Sequence, residues 1–329
     1  MSITIQKIVS TSAKKLCANS HELDNSWLEA ETLLGYVLNK DRVWIKTHND
    51  HPISKTQTQY FQSLIKRRLK GEPMAYLIGQ ADFCGQTFLI NHHVLIPRIE
   101  TEEFIYRTRS CVIDYVKKGL KDIVIWDVGT GSGVIAISLA NLVPIRANRS
   151  IRILASDIDG KVLTVARKNA RRLKAKKIKF LKADLLDKKI MSFLRRQESQ
   201  STRNPRLRGD DETLIVVANL PYLPLADRKR LSISVTKFEP GRALFTKKNG
   251  LFLIHRLMKQ LSKFLGIYHL RVPAYRLYVE FDPPQTKKIK SLAQKYFPKT
   301  KITVHGDQFK RNRFLEITSP TQQTHDHPS

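Results

Sequence analysis

From Ile123 onward the chain alternates short β-type runs with stretches of helical spacing, and few architectures accept that rhythm. Residues 123–126 read as a strand and 134–142 as a helix. Strands then follow at 151–155, 178–181, 214–218 and 277–281, with helices at 161–173 and 251–264 between them. Residues 300–305 and 313–318 supply two last strands. A strand, a crossover helix and a second strand join in parallel. The repeat therefore predicts an α/β domain with a mostly parallel sheet covered by helices on both faces.

Within that rhythm, Asp127-Val128-Gly129-Thr130-Gly131-Ser132-Gly133 leaves the first strand and opens its helix. Glycines at alternate positions let a backbone pass close beneath a ligand. The spacing differs from the G-x-G-x-x-G of dinucleotide sites. Asp157 ends the second strand, and Asp184 ends the third with Leu185 next to it. Three acids at three successive strand ends match the rule that open α/β sheets bind ligands at their carboxyl edge. The fourth strand delivers Asn219-Leu220-Pro221-Tyr222 to the same edge. Asn219 offers an acceptor and two donors, Pro221 stiffens the turn, and Tyr222 adds a flat wall. On these residues alone an ordinary Asn-x-Pro turn reads equally well.

The first eighty residues are different in kind. Ser26 and Glu29 have the spacing of a capping box, followed by Trp27, Ala30, Leu33, Leu34, Val37 and Leu38 at helical intervals. Tyr60, Phe61, Leu64, Ile65 and Leu69 form a second apolar stripe that stops at Lys70-Gly71, and Ile5, Ile8 and Val9 open a further helix. The expectation is a helical domain over 1–80 that holds no catalytic constellation. A β-hairpin linker is expected over 81–98, from the short runs at Phe83, 87–90 and 94–96 broken by Gly85 and Asn91. The α/β domain is expected over 99–318, beginning with a helix at 101–117. Residues 190–212 read as a disordered insertion, polar and aperiodic, and 319–329 as a polar tail.

Composition bounds the partners. The formal charge is +29, and residues 161–182 carry ten basic side chains and no acid. Such a field permits proximity to the ribosome or to RNA, although a lysine-rich solvated surface is the plainer reading. Three isolated cysteines and scattered histidines suggest neither a disulfide framework nor a metal site, and a reducing cytoplasm is the expected compartment. No apolar run is long enough to span a membrane, and no signal peptide is read at the N-terminus.

The loop Gly129 to Gly133, with Asp127 two residues before it, resembles the first motif of class I S-adenosylmethionine-dependent methyltransferases. That resemblance implies a Rossmann-like, mostly parallel seven-stranded sheet. It also implies S-adenosylmethionine as cofactor, held by Gly129, Thr130, Gly131, Ser132, Gly133, Asp157, Asp184, Leu185 and Asn219. Asn219 to Tyr222 resembles the Asn-Pro-Pro-Tyr motif with which amino-methyltransferases of this class hold a planar nitrogen. The motif leaves glutamine and adenine both open, and Asn-Leu-Pro-Tyr is slightly closer to ribosomal RNA adenine dimethyltransferases. The segment 71–79, Phe83 and 95–102 resemble the linker of the HemK/PrmC family, as do 28–35, Phe238-Glu239-Pro240, Ala243-Leu244, Gly250 and Glu280. The resemblance spans about residues 20–318. It implies methyl transfer to the glutamine of peptide chain release factors, with Asn219, Leu220, Pro221 and Tyr222 at the substrate and the helical domain gripping the factor. A nucleic-acid adenine N6-methyltransferase is the alternative, and a binding protein without turnover a third reading. Leu220 and Ile99 stand where the family has prolines.

Overall fold

The computed structural model describes residues 3–19, 23–117, 122–143, 150–192, 212–268 and 274–319. Its contacts divide into two compact units, residues 1–80 with 90–92 and 231–239, and residues 81–89, 93–230 and 240–329.

Among the described residues the first unit packs five α-helices: α1 (Ile5–Asn19), α2 (Leu23–Leu38), α3 (Arg42–Thr47), α4 (Lys55–Leu69) and α5 (Met74–Ile78). The apolar stripes do meet, with Ile5, Ile8, Leu33, Leu34, Phe61 and Leu64 all buried in one core. The expected capping box at Ser26 is not a cap. Helix α2 already runs from Leu23, which leaves Ser26 inside it, and Glu29 instead takes both arms of the Arg68 guanidinium at 2.6 and 2.8 Å. The capping box lies at Ser54 and Gln57, where side chain and backbone exchange hydrogen bonds at the start of α4. Helix α5 was absent from the sequence expectation, because five residues are too few to show a period.

The second unit opens with a hairpin, β1 (Gln80–Phe83) and β2 (Gln86–Leu89), and helix α6 (Glu102–Lys117). Residues 94–96, expected as a β-type run, form no strand, and Val94 and Leu95 line the cavity described below. The sheet follows: β3 (Asp122–Val128), α7 (Val134–Leu142), β4 (Ser150–Asp157), α8 (Gly160–Arg172), β5 (Ile178–Lys182), β6 (Glu212–Ala218), α9 (Phe252–Tyr268), β7 (Ala274–Glu280), α10 (Thr286–Tyr296), β8 (Lys301–Gly306) and β9 (Asn312–Thr318). Its order is β8-β9-β7-β6-β3-β4-β5, and β9 runs opposite to the other six strands. The chain steps outward one way from β3 to β5 and the other way from β6 to β7. The crevice between β3 and β6 is therefore a topological switch point.

Both central strands are buried along their length, as parallel strands covered on two faces must be. Trp126, with no exposed surface, donates its indole N–H to Ser156 Oγ at 2.8 Å, so even its polar edge is satisfied in the core. The expected insertion at 190–212 begins too early, because Ile190 is fully buried and Met191 packs against the core. Its last residue, Glu212, starts β6. The intervening residues 193–211 lie outside the described residues, as do 320–329 of the expected tail.

Candidate active site

Register brings the strand ends level. Val128 pairs with Ser156 on one side and with Ala218 on the other, so Gly129, Asp157 and Asn219 emerge side by side. The loop from Gly129 is shaped by backbone bonds. The Gly129 and Thr130 amides both donate to the Ser156 carbonyl, at 2.8 and 2.9 Å, and the Gly133 amide donates to the Thr130 carbonyl at 2.9 Å. Gly129 has φ +73°, and a Cβ there would come within 2.9 Å of Leu220 Cδ2. That conformation favours glycine, and the neighbour is the flexible end of a side chain.

Asp127 lies beneath the loop with no exposed surface. Its Oδ2 accepts from the Thr130 hydroxyl at 2.6 Å and from the Ala136 amide at 3.1 Å, while Oδ1 has no hydrogen-bond partner among the described residues. Burial, opposed by those two hydrogen bonds, pushes its pKa up to about 7. Asp157 accepts from the Gly131 amide at 3.2 Å and the Asp159 amide at 3.0 Å, and burial raises its pKa above the ordinary carboxylate range.

These groups surround a cavity of about 270 Å³. Gly129, Thr130, Gly131 and Ser132 form one wall, Asp157, Asp184 and Leu185 a second, and Asn219, Leu220 and Pro221 a third. Gly133 and Tyr222, expected with them, do not line it. Gly133 turns inward, where a Cβ would meet Ile137 and Ala166. Asp184 lines the cavity, but its carboxylate is engaged by Arg256 at 2.9 and 3.3 Å. Leu185, buried with φ +52°, presents an apolar surface beside it.

The Asn219 end is organised by residues far away in sequence. Asn219 Nδ2 donates to Thr101 Oγ1 at 3.1 Å, and Thr101 Oγ1 donates to Glu280 Oε2 at 2.9 Å. The Tyr222 hydroxyl donates to Glu280 Oε1 at 2.9 Å, so the ring is tied down behind the cavity wall. Burial and the neighbouring Glu280 charge hold the Tyr222 hydroxyl well above its usual range. The Tyr222 carbonyl accepts from Gln285 Nε2 at 2.7 Å, and the same amide reaches the Asn249 carbonyl at 2.9 Å. Gly250 makes room for that clamp. A Cβ on it would lie 1.9 Å from the Tyr222 carbonyl oxygen.

Thr101, Gln285 and Asn169 were not singled out from the sequence. Asn169, on α8, donates to the Leu89 and Ser132 carbonyls at 3.0 and 2.9 Å and accepts from the Leu89 amide at 2.7 Å. It ties the hairpin to the glycine loop. Nothing local marks it, since an Asn within a helix is normally a weak helix former.

The residues present suit a long polar ligand carrying a diol and a flat ring. Asp157 keeps lone pairs toward the cavity after its two backbone bonds, Leu185 and Ile158 supply apolar walls, and the glycine loop allows close backbone approach. Asn219 is poised as an acceptor. Its nitrogen donates one N–H to Thr101, and among the described residues no donor meets its Oδ1.

Residues 12–79 match the model of the PrmC N-terminal domain, and residues 120–197 match a methyltransferase domain. A release factor glutamine methyltransferase of Bacillus anthracis is 31% identical over 291 residues, covering 87% of this chain and 91% of that protein. A bifunctional methyltransferase of Rickettsia felis is 30% identical over 287 residues, and the chain spans 50% of its length. Among solved structures, the ribosomal protein L11 methylase of Lactobacillus delbrueckii subsp. bulgaricus aligns with 71% of this chain and 84% of its own, at 15% identity and a TM-score of 0.39.

Proposed function

The chain belongs to the release factor glutamine methyltransferase family, and we propose that it methylates the side-chain amide nitrogen of the glutamine in the Gly-Gly-Gln motif of peptide chain release factors. The products are N(5)-methylglutamine and S-adenosylhomocysteine. The observation that carries this reading is the Asn219 amide, held at the cavity wall with its nitrogen bound to Thr101 and its oxygen left to accept an N–H.

S-adenosylmethionine, when bound, supplies a methyl group on a positively charged sulfur that needs no further activation. The chain's own residues have two tasks. Asp157 would accept hydrogen bonds from a ribose diol, Leu185 and Ile158 would flank the base, and Gly129 to Ser132 would let the backbone approach the amino-acid end. Asn219 and the Leu220 carbonyl accept the two N–H bonds of the substrate amide. An amide nitrogen is a poor nucleophile because its lone pair is delocalised, so fixing its position and favouring a pyramidal geometry are what the protein can contribute. No general base is needed before transfer, because the methylated nitrogen loses its proton readily. The helical unit containing residues 12–79 would hold the body of the factor, and a release factor substrate would place the reaction in the cytoplasm.

The test offers purified release factor, ribosomal RNA and DNA in turn with methyl-labelled cofactor. Label should appear in the release factor, at the glutamine, and in neither nucleic acid. Label confined to RNA or DNA would overturn the reading in favour of adenine. In the same assay Asn219→Ala should lower transfer by about 10²–10³-fold, as the loss of one oriented transition-state hydrogen bond does, with cofactor affinity nearly unchanged. A fully active variant refutes the role given to Asn219.

A further inference from the structure

We infer that Thr101 and Glu280 form a positioning relay that decides which end of the Asn219 amide faces the cavity, so that transfer requires Glu280 to accept the Thr101 proton. The inference deepens the proposed function and rests on its reading of Asn219 as the acceptor of the substrate's N–H.

A side-chain amide has two nearly isosteric ends of opposite polarity, and its partner selects between them. Here the partner is a hydroxyl with a single proton. Glu280 is 1% exposed, and its Oε2 lies 2.9 Å from Thr101 Oγ1. A carboxylate can only accept, so it takes the Thr101 proton. The Thr101 oxygen can then only accept from Asn219, which turns Nδ2 toward Thr101 and Oδ1 toward the cavity. The other carboxylate oxygen accepts from Tyr222. One buried group thus orients both ends of the Asn219–Tyr222 turn.

Protonation reverses the chain of donors. A proton on Glu280 Oε2 would be donated to Thr101, whose own proton must then go to Asn219. The amide would have to rotate and present its NH₂ group to the cavity, where a second donor faces the substrate's N–H. The charged and titratable groups around Glu280 place this change near neutrality. Burial raises Glu280 to about 6 against the hydrogen bonds of Tyr222 and Thr101 and the positive Arg313, with Glu100 acting in the raising direction. Asp282, just past the end of β7, faces Arg313 and Tyr222.

Three variants test the relay. Thr101→Val removes the hydroxyl at constant shape, Thr101→Ser keeps it, and Glu280→Gln keeps an acceptor for Thr101 but has no proton to titrate. Thr101→Val should lower kcat by about 10–100-fold, the range expected when a reacting group is misplaced, with cofactor affinity and release factor KM changed less than about threefold. Thr101→Ser should recover most of the loss. Wild-type kcat should fall about tenfold per pH unit below a midpoint near 6. That acid limb should vanish in Glu280→Gln. Wild-type kcat in Thr101→Val, or an acid limb that persists in Glu280→Gln, overturns the relay. A readout free of turnover separates the relay from the substrate assignment. The Asn219 side-chain NH₂ resonance, assigned by its loss in Asn219→Asp, should shift with pH through the same midpoint in the wild type and not in Thr101→Val. A pH-indifferent wild-type resonance also overturns the relay. A titrating resonance in a protein that leaves release factor unmethylated supports the relay and removes the substrate assignment.

Discussion

The two sides of the cavity are built in opposite ways. On the β3–β4 side, the loop and its acids come from short stretches of chain: the Thr130 hydroxyl meets an acid three residues away, and the Asp159 amide one two residues away. On the β6–β7 side, Asn219 reaches Thr101 across 118 residues, Thr101 reaches Glu280 across 179, and the Tyr222 carbonyl reaches Gln285 across 63. A ligand common to many reactions can be met by one local motif. Orienting a weak nucleophile to within a fraction of an ångström calls for fixed walls on several sides, and separate elements supply them.

If that contrast holds, the most damaging single methyl group lies on the assembled side and touches no ligand. Gly250→Ala would put a Cβ 1.9 Å from the Tyr222 carbonyl and 2.3 Å from Gln285 Nε2, at φ +82°. The strained conformation and the broken clamp should together cost about 3 kcal/mol of stability. Transfer should fall by more than about 100-fold, which turnover and a denaturant midpoint would measure together. A well-folded, active Gly250→Ala would show that the clamp is dispensable.

Gly129→Ala probes the local side at smaller cost. Its Cβ would meet only the flexible end of Leu220, at 2.9 Å, so the chain can yield. Strain at φ +73° should still displace the loop. Cofactor affinity should drop by about tenfold, near the 1–2 kcal/mol of a left-handed non-glycine residue, with kcat affected much less. Titration calorimetry set against turnover would show the split. A loss mainly in kcat would erase the division of labour between the two sides.

A further effect, on the pH dependence of stability rather than on transfer, concerns Asp127. Its folded pKa of about 7 lies above the ordinary value of 3.8. Between those values the folded state keeps a proton that the unfolded chain has released, so stability falls as pH rises through that window. The slope approaches about 1.4 kcal/mol per pH unit at most. Asp127→Asn should flatten the dependence, read as urea midpoints from pH 4 to 8. An unchanged slope would place the titration elsewhere.

These regions also differ in how far they could be read in advance. The glycine loop, Asp157 and Asn219 were legible because strand ends follow from period and composition, and parallel strands in register bring their ends together. Tyr222 was legible as a motif residue, but its place was not. The expected wall beside the substrate is a buried ring hydrogen-bonded to Glu280. Asp184 was expected to hold the cofactor, and no local signal revealed that Arg256 on α9 would take its carboxylate. Leu220 stands where the family has proline. It is 4% exposed and packs into the core against the Gly129 loop, and a buried leucine of that kind contributes about 2 kcal/mol.

By itself the sequence determined the order of strands and helices, the loop that follows the first strand, and the polar residues that each strand carries to the carboxyl edge. All of these depend on neighbours within a few positions, where backbone preference and apolar period act. Only the tertiary structure decided which way those residues face and what holds them. Thr101, Glu280, Gln285 and Asn169 act on partners 36 to 179 residues away. A hydrogen bond across such a distance exists only after the sheet has closed, and a threonine or a glutamine looks the same in sequence whether or not it has such a partner.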